Sequence, residues 1–242
     1  MANWSDPRVV GAPLGAAAGT QSAAYDAGLR SYMLSVYNYM ASGVLLTGIV
    51  ALFAASSGFT ASLAGSPLMW VIILAPLAFI LVMNFGINKL STTALQACFW
   101  GFATVMGLSM STIFLVYTGT SIAQTFFATA AAFAGLSLFG YTTKKDLSGM
   151  GTFLIMGVVG LIVAMIINIF LQSGTLALVI SAAGVLIFAG LTAYDTQRIK
   201  SLYQYVAGTD MVGKTVIMGA LSLYLDFVNM FQFLLSFMGS RD

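Results

Sequence analysis

The sequence predicts an all-α polytopic membrane protein, a bundle of seven transmembrane helices. Two observations carry this prediction. Only nine of the 242 residues are Lys or Arg and seven are acidic, so charged residues make up 7% of the chain, against about 25% in a soluble domain. The few charges are also clustered, and they leave long apolar stretches between them. Long continuous stretches exclude a β-barrel, whose membrane strands are short and alternate in polarity.

The charge-free stretches set the number of spans. Residues 31–88, 90–143 and 147–194 form stretches of 58, 54 and 48 residues. A helix needs about 20 apolar residues to cross the bilayer core, so each stretch holds two spans around a break of polar or small residues. Residues 215–240 carry one charge, Asp226, and hold one more span. The predicted spans are Met33–Ala55, Leu68–Asn88, Ala94–Tyr117, Ser121–Tyr141, Thr152–Gln172, Leu176–Gln197 and Val216–Met238.

The basic residues predict the orientation of these spans. Eight of the nine lie before the first span or after the second, fourth and sixth, which is one side of the membrane, and Arg241 lies on the other. By the positive-inside rule the N-terminus is cytoplasmic and the C-terminus is outside. Met1–Ala27 lacks the apolar segment of a signal peptide. We therefore interpret residues 1–28 as a mobile cytoplasmic tail and residues 29–242 as the transmembrane domain.

The composition also excludes several kinds of chemistry. The chain has no His, and its single cysteine is Cys98. A Ser-His-Asp triad, a Cys-His pair and a zinc site of the His and Cys type are therefore excluded. We expect no enzymatic activity, no tightly bound cofactor and no nucleic-acid partner, and we expect the lipid bilayer to be the main environment of the chain.

An acid in the last span is the first candidate functional residue. Asp226 lies about ten residues into that span, where a carboxylate costs about 2.5–3.5 kcal/mol unless it is paired, protonated or in contact with water. At 100° per residue Ser222, Asp226 and Asn229 share one helix face, and Tyr224 points away. This row of oxygens suits a hydrated cation path. The alternative is a structural role, in which Asp226 forms hydrogen bonds with neighbouring helices.

A second acid, Asp195, lies at the cytoplasmic end of the sixth span. The following helix returns through the membrane and carries Asp226, so the two carboxyl groups are expected to approach each other and to titrate as one coupled unit. The simpler alternative for Asp195 is an interfacial acid paired with Arg198, three residues further on.

Four segments of the sequence resemble the Bax inhibitor-1 family, also called the transmembrane Bax inhibitor motif family, over about residues 29–237. They are Arg30–Tyr37 (RSYMLSVY), Tyr141–Leu147 (YTTKKDL), Ala193–Lys200 (AYDTQRIK) and Leu221–Asn229 (LSLYLDFVN). The resemblance implies that the seventh helix is central and is enclosed by the other six. It also implies a pH-sensitive leak of Ca²⁺ through the plasma (inner) membrane of a bacterium.

The resemblance further implies roles for three residues. Asp195 and Asp226 correspond to a pair of aspartates that senses pH, gates the leak and binds calcium transiently. Lys89 corresponds to a basic residue after the second helix that latches onto the first aspartate. A single Lys lacks the bidentate fork of Arg, so its latch is expected to be weak. Ca²⁺ passing Asp226, Asn229 and Ser222 would take most of its 6–8 oxygen ligands from water and backbone carbonyls.

Two other functions follow from the same sequence. An intramembrane aspartyl protease also uses two membrane aspartates, but one of them follows Gly-x-Gly, whereas Asp226 follows Leu223-Tyr-Leu. This function is not favoured. The other is a regulatory role, because some bacterial relatives are thought to bind and restrain a membrane-anchored ATP-dependent protease. In that role residues 1–27 would be the segment that the protease recognises.

Overall fold

The computed structural model describes residues 14–63 and 65–240. Residues 1–13, the first part of the predicted tail, lie outside this range. All the helices apart from the short α2 are long and apolar enough to cross a membrane, so the predicted seven-span architecture is confirmed. In the described residues the helices are α1 (Leu14–Ser56), α2 (Phe59–Leu63), α3 (Pro67–Gly86), α4 (Thr92–Met110), α5 (Gly119–Thr142), α6 (Ser148–Leu171), α7 (Gly174–Val206) and α8 (Met211–Met238), with a 3₁₀ turn over Ser111–Leu115.

Several helices begin at the polar breaks that the sequence places between spans. The hydroxyls of Ser91, Thr118 and Ser173 each accept a hydrogen bond from the backbone N–H three residues later, at 3.1, 3.2 and 3.3 Å. Each bond satisfies one of the free N–H groups in the first turn of a helix. These caps explain why α4, α5 and α7 start within a few residues of their predicted positions.

Two helices extend well beyond the predicted spans. α1 starts at Leu14, so the predicted boundary between tail and transmembrane domain, at residues 28 and 29, falls inside this helix. α7 continues past Gln197 to Val206. Both extensions consist of mixed polar and apolar residues, which are compatible with a helix outside the bilayer. Hydropathy therefore marks the edge of the membrane and not the end of the helix.

The seventh span, α8, is the centre of the bundle. In its most apolar window 56% of the residues are buried, against 11% in the corresponding windows of α3 and α6. α8 packs against α1, α4, α5 and α7, while α3 packs on α4 and α6 packs on α7. The predicted central position is confirmed. Four of the other six spans contact α8 extensively. The remaining two, α3 and α6, present most of their surface to lipid.

Candidate functional site

The two candidate aspartates lie on the two most closely associated helices of the bundle. Asp195 is on α7 and Asp226 is on α8, and these antiparallel helices pack along their lengths. The approach is close because Gly219 of α8 faces Ile199 of α7, and a Cβ at position 219 would lie 3.2 Å from that side chain. Asp195 lines a cavity together with Ser222, which lies one helical turn before Asp226 on α8. The structure therefore places the two acids on adjoining helices, and their titration as one unit stays a prediction.

Asp195 lies in a cavity at the end of the bundle that carries Arg198, Lys200 and Lys214, which we call the basic end. The cavity has a volume of about 320 Å³, and Ser222 also contributes to its lining. A guanidinium nitrogen of Arg198 is 3.9 Å from a carboxylate oxygen of Asp195. The Arg198 side chain is 59% exposed and that of Asp195 is 14% exposed, so water competes with this ion pair.

Asp226 is buried, with 4% of its surface exposed, and one of its carboxylate oxygens, Oδ2, has no hydrogen-bond partner among the residues that the structure describes. Asp226 forms no hydrogen bond to a neighbouring helix anywhere in residues 14–63 and 65–240. The structural role considered for it requires such bonds. A buried acceptor left without a donor is costly. The hydrogen bonds that a structural role needs are thus absent from the described residues, and the role of Asp226 in a cation path stays a prediction.

The other two residues of the predicted path lie on either side of Asp226. Ser222 lines the cavity at the basic end. Asn229 lines a second cavity of about 450 Å³ towards the opposite end of the bundle. Asp226 lies between Ser222 and Asn229 along α8 and lines neither cavity. The row Ser222, Asp226, Asn229 thus runs from one cavity to the other along a single face of α8.

The second cavity contains polar residues that the sequence analysis missed. Its lining includes Asn168 of α6, Ser181 of α7, and Gln232 and Ser236 of α8. The hydroxyl oxygens of Ser181 and Ser236 lie 3.0 Å apart, within hydrogen-bonding distance. Gln232 and Ser236 follow Asn229 at helical spacing, so the sequence alone could have placed them on the same face of α8. Asn168 and Ser181 come from other helices, and no spacing in the chain relates them to Asn229.

Tyr224 faces away from this row, as predicted. Its ring is fully buried against Phe99 and Phe102 of α4, and its hydroxyl lies 2.6 Å from that of Thr47 on α1. α8 is therefore held on one side by an aromatic cluster and carries its oxygen-bearing residues on the other.

The basic residue predicted to latch onto Asp195 is not its partner in this structure. Lys89 is exposed just after α3, and the ion pair of Asp195 within the described residues is with Arg198. A different Lys, which the sequence analysis missed, holds the end of α3: the Lys214 ammonium donates to the carbonyl oxygen of Ile87 at 2.9 Å. The latch on Lys89 remains a prediction.

The acidic groups here are too few for a closed metal site. Within residues 14–63 and 65–240 no three acidic or cysteine side chains converge. The oxygens available to a cation are the carboxylates of Asp195 and Asp226 and the neutral oxygens of Ser222 and Asn229. A Ca²⁺ ion prefers 6–8 oxygen ligands, so water and backbone must complete its shell. Transient cation binding by this set stays a prediction.

The fold and the site define a seven-span membrane protein with two acids on adjoining helices in its interior. A family model described as inhibitor of apoptosis-promoting Bax1 matches residues 29–242. The chain therefore belongs to the Bax inhibitor-1 family, as its sequence motifs indicate.

Bacterial relatives match this chain over nearly their whole length. A protein of Caulobacter vibrioides is 48% identical over 230 residues, which cover 89% of this chain and 91% of the relative. The inner membrane protein YbhL of Escherichia coli K12 is 43% identical over 219 residues, covering 89% and 94%. A membrane protein of Streptococcus pyogenes serotype M3 is 35% identical over 221 residues, covering 90% and 96%.

Proposed function

We propose that the protein is a pH-sensitive cation leak of the bacterial inner membrane and that Ca²⁺ is the ion it passes. The observation that carries the proposal is Asp226, a buried acid with an oxygen that has no hydrogen-bond partner in the described residues. Its neighbours along the helix face, Ser222 and Asn229, line two cavities. The family resemblance supplies Ca²⁺ as the ion. The name of the relative YbhL supports the inner membrane, and the basic residues at one end of the bundle support a cytoplasmic N-terminus.

The path follows one face of α8. A cation enters the cavity lined by Asn229, passes Asp226 and leaves through the cavity lined by Ser222 and Asp195. From Ser222 to Asn229 the helix rises about 10 Å. This is the part that must hydrate or open for an ion to pass, because Asp226 lies in neither cavity. Weak coordination by two carboxylates suits a leak, since a tightly held ion does not leave.

The gate is the Asp195 side chain together with a base. Arg198 holds Asp195 in this structure, and Lys89 is the second candidate, at the end of α3. Protonation of the acid pair removes the charge that attracts the base and so frees the mouth of the path. It also removes the charge that attracts the cation. These two effects on flux oppose each other, so the leak depends on pH through their balance.

The test is Ca²⁺ flux into liposomes that contain the purified protein. We expect Asp226→Asn to lose most of the flux, because it removes the charge at the narrow point of the path. Asp210→Asn is the matched control, since Asp210 is exposed before α8 and lines neither cavity. Normal flux in Asp226→Asn, or equal loss in both variants, would overturn the proposal.

A further inference from the structure

A groove between α1 and α5 lies outside the site described above. It has a volume of about 620 Å³ and begins near the basic end of the bundle. Both helices pack on α8, but in the described part of the chain they share no extended interface with each other. The groove is therefore a gap in the wall of the bundle, and it is lined by Arg30, Met33, Leu34, Tyr37, Phe133, Ala134, Ser137, Leu138 and Tyr141.

The groove changes character along its length. α1 runs away from the basic end and α5 runs towards it, so Arg30 and Tyr141 lie at the same end of the groove. Deeper in the membrane the lining is apolar, with Met33 and Phe133 buried and Ala134 open to the bilayer. A charged end joined to an apolar channel matches the shape and polarity of a phospholipid.

The end of the groove at Arg30 is basic. The nearest acid along α1 is Asp26, which is exposed one turn earlier and does not line the groove. Arg30 is exposed and forms no ion pair within residues 14–63 and 65–240. The ammonium of Lys200 lies 4.8 Å from the centre of the Tyr141 ring and donates to the Tyr141 carbonyl oxygen at 2.8 Å. Two positive charges therefore flank the entrance. Basic pockets between transmembrane helices of this kind suit anionic lipid headgroups.

A second, apolar cavity lies further along the same two helices. It has a volume of about 290 Å³ and lies between the later part of α1 and the earlier part of α5, with Val44, Ala51 and Ile122 in its lining. The two helices thus leave apolar space between them at two levels of the bundle.

We propose that this groove binds one anionic phospholipid, with its phosphate on Arg30 and an acyl chain along Met33, Phe133 and Ala134. The guanidinium of Arg30 binds the phosphate oxygens through charge-assisted hydrogen bonds. A zwitterionic lipid has the same acyl chains, but it gains less binding free energy from the two basic residues. The headgroup charge therefore selects the occupant, and the apolar wall sets where it lies.

The test uses a photoactivatable phosphatidylglycerol in nanodiscs of phosphatidylcholine, with cross-linked peptides of α1 and α5 identified by mass spectrometry. Arg30→Gln removes one basic contact near the membrane surface. It is expected to lower the cross-link yield about fivefold. Lys144→Gln is the matched control, an exposed base at the same end that does not line the groove. Its yield should equal that of the wild type.

A second pair of variants tests the apolar part of the groove. Ala134→Trp fills the channel and should abolish cross-linking, whereas Ala132→Trp, exposed on the same helix but outside the lining, should not. Unlabelled phosphatidylglycerol should compete and unlabelled phosphatidylcholine should not. Equal competition by both lipids, or unchanged cross-linking in Arg30→Gln and Ala134→Trp, would overturn the proposal.

Discussion

A guanidinium nitrogen of Arg198 lies 3.9 Å from a carboxylate oxygen of Asp195, one helical turn away on α7. The distance is at the outer limit of an ion pair, and the Arg198 side chain is mostly exposed. An exposed pair of this type is worth about 0.2–1 kcal/mol. Asp195 is thus held loosely, which suits the gate that we propose.

The first prediction concerns the base that restrains Asp195. In the leak that we propose, Arg198→Gln should raise Ca²⁺ flux near neutral pH by up to about fivefold. This factor corresponds to the free energy of up to about 1 kcal/mol of the weak ion pair that the substitution removes. Lys89→Gln should raise flux only if the predicted latch also forms. Lys145→Gln, an exposed base at the same end, is the control. Unchanged flux in both Arg198→Gln and Lys89→Gln would contradict the proposed gate.

The second prediction concerns the fixed side of α8. The Thr47 hydroxyl donates to the Ala103 carbonyl oxygen at 2.8 Å, so at their 2.6 Å contact the Tyr224 hydroxyl is the donor. Tyr224→Phe removes that donor and should lower the free energy of unfolding by about 1 kcal/mol. Thr47→Val leaves the buried Tyr224 hydroxyl unpaired and should cost more, about 1–3 kcal/mol. Denaturant unfolding in detergent micelles measures both, and the reverse order would refute this account of the bond.

The third prediction concerns the contact between α5 and α7. A Cβ at Gly140 would lie 2.9 Å from the carbonyl carbon of Ala193 and 3.0 Å from its Cα, and backbone has little freedom to move away. Gly140→Ala should therefore lower the free energy of unfolding by about 1–3 kcal/mol.

Gly135, on the same helix, is the control for this contact. A Cβ there would meet no atom within 4 Å, and alanine is the better helix former by about 1 kcal/mol. Gly135→Ala should be neutral or stabilising in the same unfolding measurement. Equal destabilisation by the two substitutions would show that the close approach is not what requires glycine.

The fourth prediction concerns pH and the start of α6. A hydrogen bond from the Ser148 hydroxyl, with one from its backbone N–H at 2.9 Å, lowers the pKa of the exposed Asp146 carboxyl below its ordinary value of 3.8. A group whose pKa is lower in the folded state stabilises the fold above its unfolded pKa. That contribution is lost as the pH falls through the folded pKa. Asp146→Asn should thus be less stable than the wild type near neutral pH, and the difference should vanish well below pH 3.8. A difference in stability that persists well below pH 3.8 would show that it does not arise from the lowered pKa of Asp146.

The architecture was largely predictable because the membrane penalises charge. Asp195 and Asp226 stand out because each interrupts or ends an apolar stretch, and the family motifs mark the same two positions. The ends of α1 and α7 were less predictable, since polar residues beyond the bilayer do not stop a helix. The Thr47–Tyr224 bond joins residues 177 positions apart. No local pattern contains that information.

The polar environment around the candidate path was also hidden from the sequence. Asn168 and Ser181 reach the cavity of Asn229 from α6 and α7, and Lys214 reaches the end of α3 from α8. Each of these relationships depends on how the helices are rotated against one another. Hydropathy gives the position of a helix in the membrane but only a weak signal for its rotation.

The central claim is that Asp195 and Asp226 act as one unit on a cation path. The most direct test is a double-mutant cycle of Ca²⁺ flux against pH in liposomes, with Asp195→Asn, Asp226→Asn and the double variant. If the acids act as one unit, each single variant loses the pH dependence of the wild type, and the double variant behaves like Asp226→Asn. Effects that multiply independently, or wild-type pH dependence in either single variant, would contradict the account.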